Sequence, residues 1–226
     1  MFTYQDKKEE LKKYLLSNPF SCTYGWIVNW INLEIAKLPK GSLILEMGTF
    51  VGGTTQLLAK SNSHVVIHTI DLNNFDEDNH MLAALRTSLN LPLLSTVDLL
   101  EIQKMHTEDF TNIVLHTGDS KSLDINNFSI IFIDAGHKEE EVIEDLHYAW
   151  DHLVDGGYIF GDDANTPNVY NAFAHFAKEK DVELTLYSKC ARIQKTDRIN
   201  PTSRFYAPVG HPVHNDILIV NEEINL

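Results

Sequence analysis

Four consecutive apolar residues, Ile130-Ile131-Phe132-Ile133, run from Ser129 into Asp134 without a polar position among them. A strand with one wet face would alternate. An unbroken run this short implies burial on both faces, the pattern of a parallel sheet covered by helices on each side. The same grammar recurs along the chain. Leu43-Ile44-Leu45 leads into Glu46, Val65 to Ile70 into Asp71, Ile113 to Thr117 into Gly118-Asp119-Ser120, and Tyr158-Ile159-Phe160 into Gly161-Asp162-Asp163. Helix-length stretches separate these runs. Gln5 to Leu16 is amphipathic and closed by Asn18-Pro19, and Tyr24 to Leu38 stops at Pro39 and Gly41. A third opens on Glu139, Glu140 and Glu141, acids that suit a helix N-terminus. Val142, Leu146, Ala149, Trp150 and Leu153 form its apolar stripe, and Gly156-Gly157 is expected to stop it. Val169 to Lys178 reads as a fourth helix, Val182 to Tyr187 and Ile217 to Val220 as strands, and Ser188 to Asn215 as a long polar connection. Strands alternating with helices predict a doubly wound, mostly parallel α/β sheet with helices on both faces and an N-terminal helical cap.

The length of 226 residues suits one domain. We expect a single unit over 1–226, with a cap at 1–41 and a core at 42–226. About 40 residues separate Asn73 from Asn112, more than one crossover helix requires, so this stretch reads either as a lid or substrate-side insertion or as a purely structural extra helix. It opens on the acidic run Asp76-Glu77-Asp78 and carries helix-like segments at Met81 to Leu89 and after Ser95.

Composition narrows the function. Hydrophobic residues make up 43% of the chain, enough for a full core. No apolar run approaches the roughly 18 residues that a membrane span needs. The N-terminus is charged and lacks the apolar centre of a secretory signal. Cys22 and Cys190 have neither metal spacing nor a disulfide framework, which fits a reducing cytoplasm. A net charge of −14 argues against nucleic acid as a partner, since phosphate contacts need clustered Lys and Arg. Lys189, Arg192, Lys195, Arg198 and Arg204 do fall close together, but without helical periodicity they read as a solvated loop face.

The chemistry gathers at the strand ends, where ligands bind in such sheets. The segment from Leu43 to Ala59 supplies a buried strand, then the turn Gly48-Thr49-Phe50-Val51-Gly52-Gly53, then a helix start. Glycine lets backbone approach a ligand closely, and the helix start presents unpaired N–H groups. Phe50 stands where a dinucleotide binder has its middle glycine, and Glu46 would repel a pyrophosphate. The turn therefore reads as a nucleotide-type site that lacks the close backbone approach a pyrophosphate needs. Asp71, roughly 20 residues beyond the glycines, is placed to accept from both ribose hydroxyls. Each strand from the first to the fifth delivers a carboxylate at its tip. One acid in a loop means little, but a row of them on one edge suits hydroxyls, an amine or a cation.

These stretches together, LILEMGTFVGGTT, TIDL, HTGDS, IFIDAGHKEEEVIEDLHYAW and LVDGGYIFGDD, resemble a class I S-adenosylmethionine-dependent methyltransferase with its Rossmann-like fold. Within that class they are similar to the bacterial metal-dependent sugar O-methyltransferase and cephalosporin-hydroxylase-like branch, over Ser42 to about Tyr187. The resemblance implies that Glu46, Gly48, Thr49, Phe50 and Gly52 line the methionine and ribose of S-adenosylmethionine. Asp71 would hold the ribose diol, Asp119 and Ser120 would sit by the adenine, and Asp134 would also touch the cofactor. Asp134, Asp162 and Asp163 would match the acidic triad for a divalent metal. Carboxylates without cysteine favour Mg²⁺. The implied reaction is Mg-assisted O-methylation of a small polar metabolite by a cytoplasmic enzyme, with Asp134 and a general base as catalytic residues. The related enzymes place that base two residues after Asp134, where this chain has Gly136. His137 is the nearest candidate, and a turn-ordering role is its alternative. The partner is then a small-molecule acceptor, with no nucleic acid and no membrane, and the aromatic N-terminal cap suits a homodimer contact. Two further readings stay open: an NAD-dependent oxidoreductase, against which Glu46 and Phe50 count, and a non-catalytic relative that binds the cofactor.

Overall fold

The computed structural model describes residues 4–17, 19, 21, 23–73 and 99–196. The chain divides into two compact units, residues 1–124 and 125–226.

In the first unit three parallel strands lie in the order β3-β2-β1: β1 (Leu43–Met47), β2 (Val66–Asp71) and β3 (Ile113–Thr117). Leu43 pairs with Val66 and Ile67 with Ile113, so the three strands end nearly level. Among the described residues four helices accompany them: α1 (Tyr4–Ser17), α2 (Gly25–Ile35), α3 (Gly53–Ser61) and α4 (Leu99–Thr107). α2 buries Ile27, Ile31 and Ile35 at the i, i+4 spacing of one helical face. β1 runs on through Glu46 to Met47, so Glu46 lies inside the strand rather than at its tip. A second cluster, Leu11 and Leu15 of α1 with Val51, Ile102 and Met105, fastens α1 and α4 to the glycine turn. Each such side chain stabilises by about 1.5–3 kcal/mol when fully buried. The Lys12 ammonium secures the same joint, donating to Glu108 at 2.7 Å and Asp109 at 2.8 Å.

In the second unit the strand order is β4-β5-β7-β6: β4 (Phe128–Ile133), β5 (Leu153–Gly161), β6 (Leu184–Tyr187) and β7 (Cys190–Gln194). β4 and β5 are parallel, and β7 runs antiparallel to both β5 and β6. Helices α5 (Glu139–His152) and α6 (Pro167–Lys180) pack on each other. Two expectations are corrected here. α5 stops at His152, not at the glycines. Leu153 already has extended geometry and pairs with Phe128, so Gly156-Gly157 lie within β5, where the register shifts. Part of the expected polar connection is β7, which turns back from β6 through Ser188 at φ +53° and Lys189. The side chain of Lys195, just after β7, donates to the carbonyls of Trp150 and Leu153 at 2.8 and 2.9 Å, closing the end of α5. Gly161, the last residue of β5, lies against Phe173 of α6: a Cβ there would stand 2.3 Å from the Phe173 Cζ.

The helix-like segment at Met81–Leu89, the Ser95 start and the strand at Ile217–Val220 lie outside the described residues. Among the described residues no helix is long and apolar enough to cross a membrane.

Candidate active site

The first unit holds the glycine turn. Gly48 at φ +101° and Gly52 at φ +87° adopt backbone that favours glycine, and Phe50 between them is left-handed at φ +45°. Phe50 thus takes a glycine-like backbone without being glycine, its ring packing against the cluster of Val51 and Ile102. The residue is held from two sides. Its N–H donates to Asp71 Oδ2 at 2.7 Å, and its carbonyl accepts from Gln103 Nε2 at 2.6 Å. Asp71 Oδ1 meanwhile accepts from the N–H of Asn73 at 2.8 Å. Burial raises the Asp71 carboxyl above its ordinary value, against the opposing pull of those backbone amides. With Thr49 as a third backbone amide acting on it, the carboxylate keeps about one of its four lone-pair sites for other donors.

Behind the turn is a cluster of hydroxyls. The Thr55 hydroxyl donates to Glu46 Oε2, and so does that of Thr69 at 2.6 Å, while Thr49 and Thr69 bond each other at 2.6 Å. Glu46 is 1% exposed. The carboxylate expected to line the cofactor is therefore placed under the turn, joining β1, β2 and α3. Asp119 is exposed and caps its own short turn, accepting from the Lys121 N–H at 2.9 Å; Ser120 is half-buried beside it.

The second unit holds the acidic tips of β4 and β5. Asp162 continues the strand pairing through its N–H to the Ile133 carbonyl at 3.0 Å. Burial first, and then the charge of Asp134, push its carboxyl up to about 7. Asp163 is left-handed at φ +52°, and its carboxylate turns elsewhere: Oδ2 lies 2.9 Å from His137 Nε2, and Oδ1 lies 3.7 Å from the Lys189 ammonium. Asp134, Gly136, His137 and Asp162 share the lining of one small cavity. A Cβ at Gly136 would stand 2.6 Å from Glu141 Oε2, so the Glu141 carboxylate fills the space that a side chain there would take.

This geometry tests the implied metal set. Asp134 and Asp162 repel each other in a partly buried place, a donor pair that a hard cation would neutralise. Mg²⁺ is commonly held by one or two carboxylates with waters. The pair fits such an ion; Asp163, engaged by His137 and Lys189, is not aimed with them. Among the described residues no group of three or more His, Cys, Asp or Glu is gathered as metal ligands.

Sequence reasoning missed Gln103, Asn73 and Lys189. Asn73 could have been found from the Asp71-Leu72-Asn73 turn, since Asn tolerates left-handed backbone and here has φ +55°. Gln103 gives no signal in a helix that reads as ordinary. Three of the basic residues read as a solvated loop face have partners of their own. Lys189 meets Asp163, Arg192 lies 5.2 Å over the Tyr158 ring, and Lys195 closes α5. Arg198 and Arg204 lie outside them.

The family profile described as a methyltransferase domain matches residues 45–164, just over half of the chain, from β1 to the residue after the second acidic tip. The chain belongs to this methyltransferase family. It is an enzyme of the transferase class, and its doubly wound, mostly parallel α/β architecture is that of Rossmann-like methyltransferases. Solved structures share the fold at low identity. A SAM-dependent O-methyltransferase of Thermotoga maritima has a TM-score of 0.52 and 12% identity, over 87% of this chain and 72% of that one. An O-methyltransferase of tomaymycin synthesis from Streptomyces achromogenes, in complex with SAM, has a TM-score of 0.50 and 17% identity, over 87% of this chain and 91% of that one. Comparison with curated proteins gives no match.

Proposed function

We propose that this methyltransferase takes its methyl group from S-adenosylmethionine and delivers it to an oxygen of a small polar acceptor. The observation that carries the reading is the Asp71 carboxylate. It is held in place by the backbone of Phe50 and Asn73, with acceptor capacity left for the ribose hydroxyls. The left-handed Gly48 and Gly52 would let the methionine part of the cofactor approach the backbone of the turn. Glu46 would serve from behind, keeping the turn in register through Thr55 and Thr69. Asp119 and Ser120 would border the adenine. The chain would act as one methyltransferase domain in the cytoplasm, with a metabolite rather than nucleic acid or membrane as its partner. A homodimer would use the exposed Tyr24 and Leu33.

Methyl transfer from a sulfonium is an in-line displacement, so the acceptor hydroxyl must be aligned and lose its proton. His137 would take that proton, with Asp163 orienting its ring through Nε2 and leaving Nδ1 to face the acceptor. Lys189 would hold the same carboxylate from its other oxygen. A Mg²⁺ ion, where bound, would be held by Asp134 and Asp162 and would supply a lowered pKa to a hydroxyl that it ligates. Calorimetry with S-adenosylmethionine, its demethylated product and NADH tests the reading. Binding of the first two is expected, and binding of NADH alone would refute it.

A further inference from the structure

Gln103 sits on α4, in the stretch between β2 and β3 that carries none of the recognised methyltransferase motifs. It is fully buried. Its amide nitrogen donates twice, to the Phe50 carbonyl at 2.6 Å and to Asn73 Oδ1 at 2.7 Å. A main-chain carbonyl can only accept, so the orientation of the Gln103 amide is set by chemistry. Its Oε1 has no hydrogen-bond partner among the described residues. A buried acceptor left in that state costs stability, and an apolar residue of the same shape would avoid the cost.

What those two donors hold is specific. Phe50 and Asn73 are both left-handed without being glycine, at φ +45° and +55°. Such backbone persists where the surroundings over-determine it. Asp71 grips both residues by their N–H groups, and Gln103 grips Phe50 by its carbonyl and Asn73 by its side chain. The result is a closed ring of bonds, Asp71–Phe50–Gln103–Asn73–Asp71, around the carboxylate assigned to the ribose. Removing Asp71 would break the ring and the ligand contact together. Removing Gln103 breaks only the ring.

We propose that Gln103 is a positioning residue for the cofactor: it locks the glycine turn to the turn after β2, so that Asp71 and the turn backbone meet the nucleoside already ordered. This rests on the S-adenosylmethionine reading above. It assigns α4 a part in cofactor affinity without contact with the ligand.

Gln56 supplies the matched control. It too is fully buried, donates to a carbonyl (Leu16, at 3.0 Å) and has an Oε1 without a partner among the described residues, but it ties α3 to α1. The dissociation constant of S-adenosylhomocysteine is measured calorimetrically for the wild type, Gln103→Met, Gln103→Glu and Gln56→Met, with melting temperatures alongside. Gln103→Met keeps the volume and loses both donors, so affinity should fall about tenfold while the protein stays folded. Gln103→Glu sets a carboxylate against the Phe50 carbonyl and should weaken binding at least as much. Gln56→Met should leave affinity within about twofold whatever it does to the melting temperature. Hydrogen exchange should quicken in the segments 48–53 and 71–73 of Gln103→Met alone. Wild-type affinity in Gln103→Met, or equal losses in Gln103→Met and Gln56→Met, would overturn the assignment. A wild type that binds neither cofactor form would instead remove the methyltransferase reading itself, and this assignment with it.

Discussion

His106 makes the fold acid-sensitive by an amount that can be worked out. It is fully buried on α4, its Nδ1 lies 3.2 Å from the Ile102 carbonyl, and its Cβ would be 3.3 Å from a Cβ placed on Gly52. Burial drives its pKa from 6.5 down to about 4, opposed by the Ile102 and Val51 carbonyls. The neutral ring is therefore the form that the folded protein accepts. Above pH 6.5 folded and unfolded states are both neutral here, and stability is independent of this group. As the pH falls from 6.5 the unfolded chain takes up a proton that the folded chain refuses. Stability then drops by about 1.4 kcal/mol per pH unit until the folded pKa near 4 is reached. The whole window is worth about 3 kcal/mol, and about 2 kcal/mol of it is lost between pH 7 and 4.5. The assay is urea unfolding of the wild type and His106→Leu at several pH values across that range. His68 and His116, also lowered by burial, titrate in both proteins and cancel in the difference. The wild type should lose about 2 kcal/mol more than the variant. Curves that stay parallel down to pH 4.5 would refute the argument, whatever their constant offset.

Other consequences are as direct. Gly161→Ala drives a methyl group into the Phe173 ring and should cost about 1–3 kcal/mol, seen as a lower melting temperature with unchanged secondary structure. Asp162→Ala should lower methyl transfer by about a hundredfold or more while S-adenosylhomocysteine affinity stays within a few-fold, and excess EDTA should have the same effect on the wild type. Full activity in EDTA would remove the ion from the proposal. His137→Gln should reduce turnover by about a hundredfold or more, and Asp163→Asn by less, since the ring is kept but its orientation is loosened. Equal turnover in His137→Gln and wild type would reject His137 as the base.

Much of this was legible because it depends on composition along a few residues. Ile130 to Ile133 could not be anything but a doubly covered strand, and each acid that followed a strand was found at or near its end. The glycine turn was legible because φ values of +101° and +87° need glycine. The conformation of Phe50 was not, since nothing local requires it: Asp71 and Gln103, distant in sequence, impose it. β7 was missed because Arg192 and Gln194 alternate with Ala191 and Ile193 among basic neighbours, so local charge hid a period of two. Glu46 was legible as an acid at a strand end, but its burial was not: that rests on Thr55 and Thr69, whose partnership exists only once α3 and β2 are in place.

The end of α5 carries one more consequence. Its last carbonyls are closed by Lys195, an ammonium that lies 45 positions after Trp150. During synthesis, at roughly 5–20 residues per second, the helix and β5 emerge several seconds before that residue does. Until then α5 is a helix with an unfinished end, and β5 lacks the neighbour that β7 supplies. The second unit therefore cannot mature in the order in which it is made. A chain cut just short of Cys190 would leave a fragment with every acidic strand tip present but neither β7 nor Lys195, and so an exposed β5 edge, a species suited to capture by chaperones rather than to catalysis.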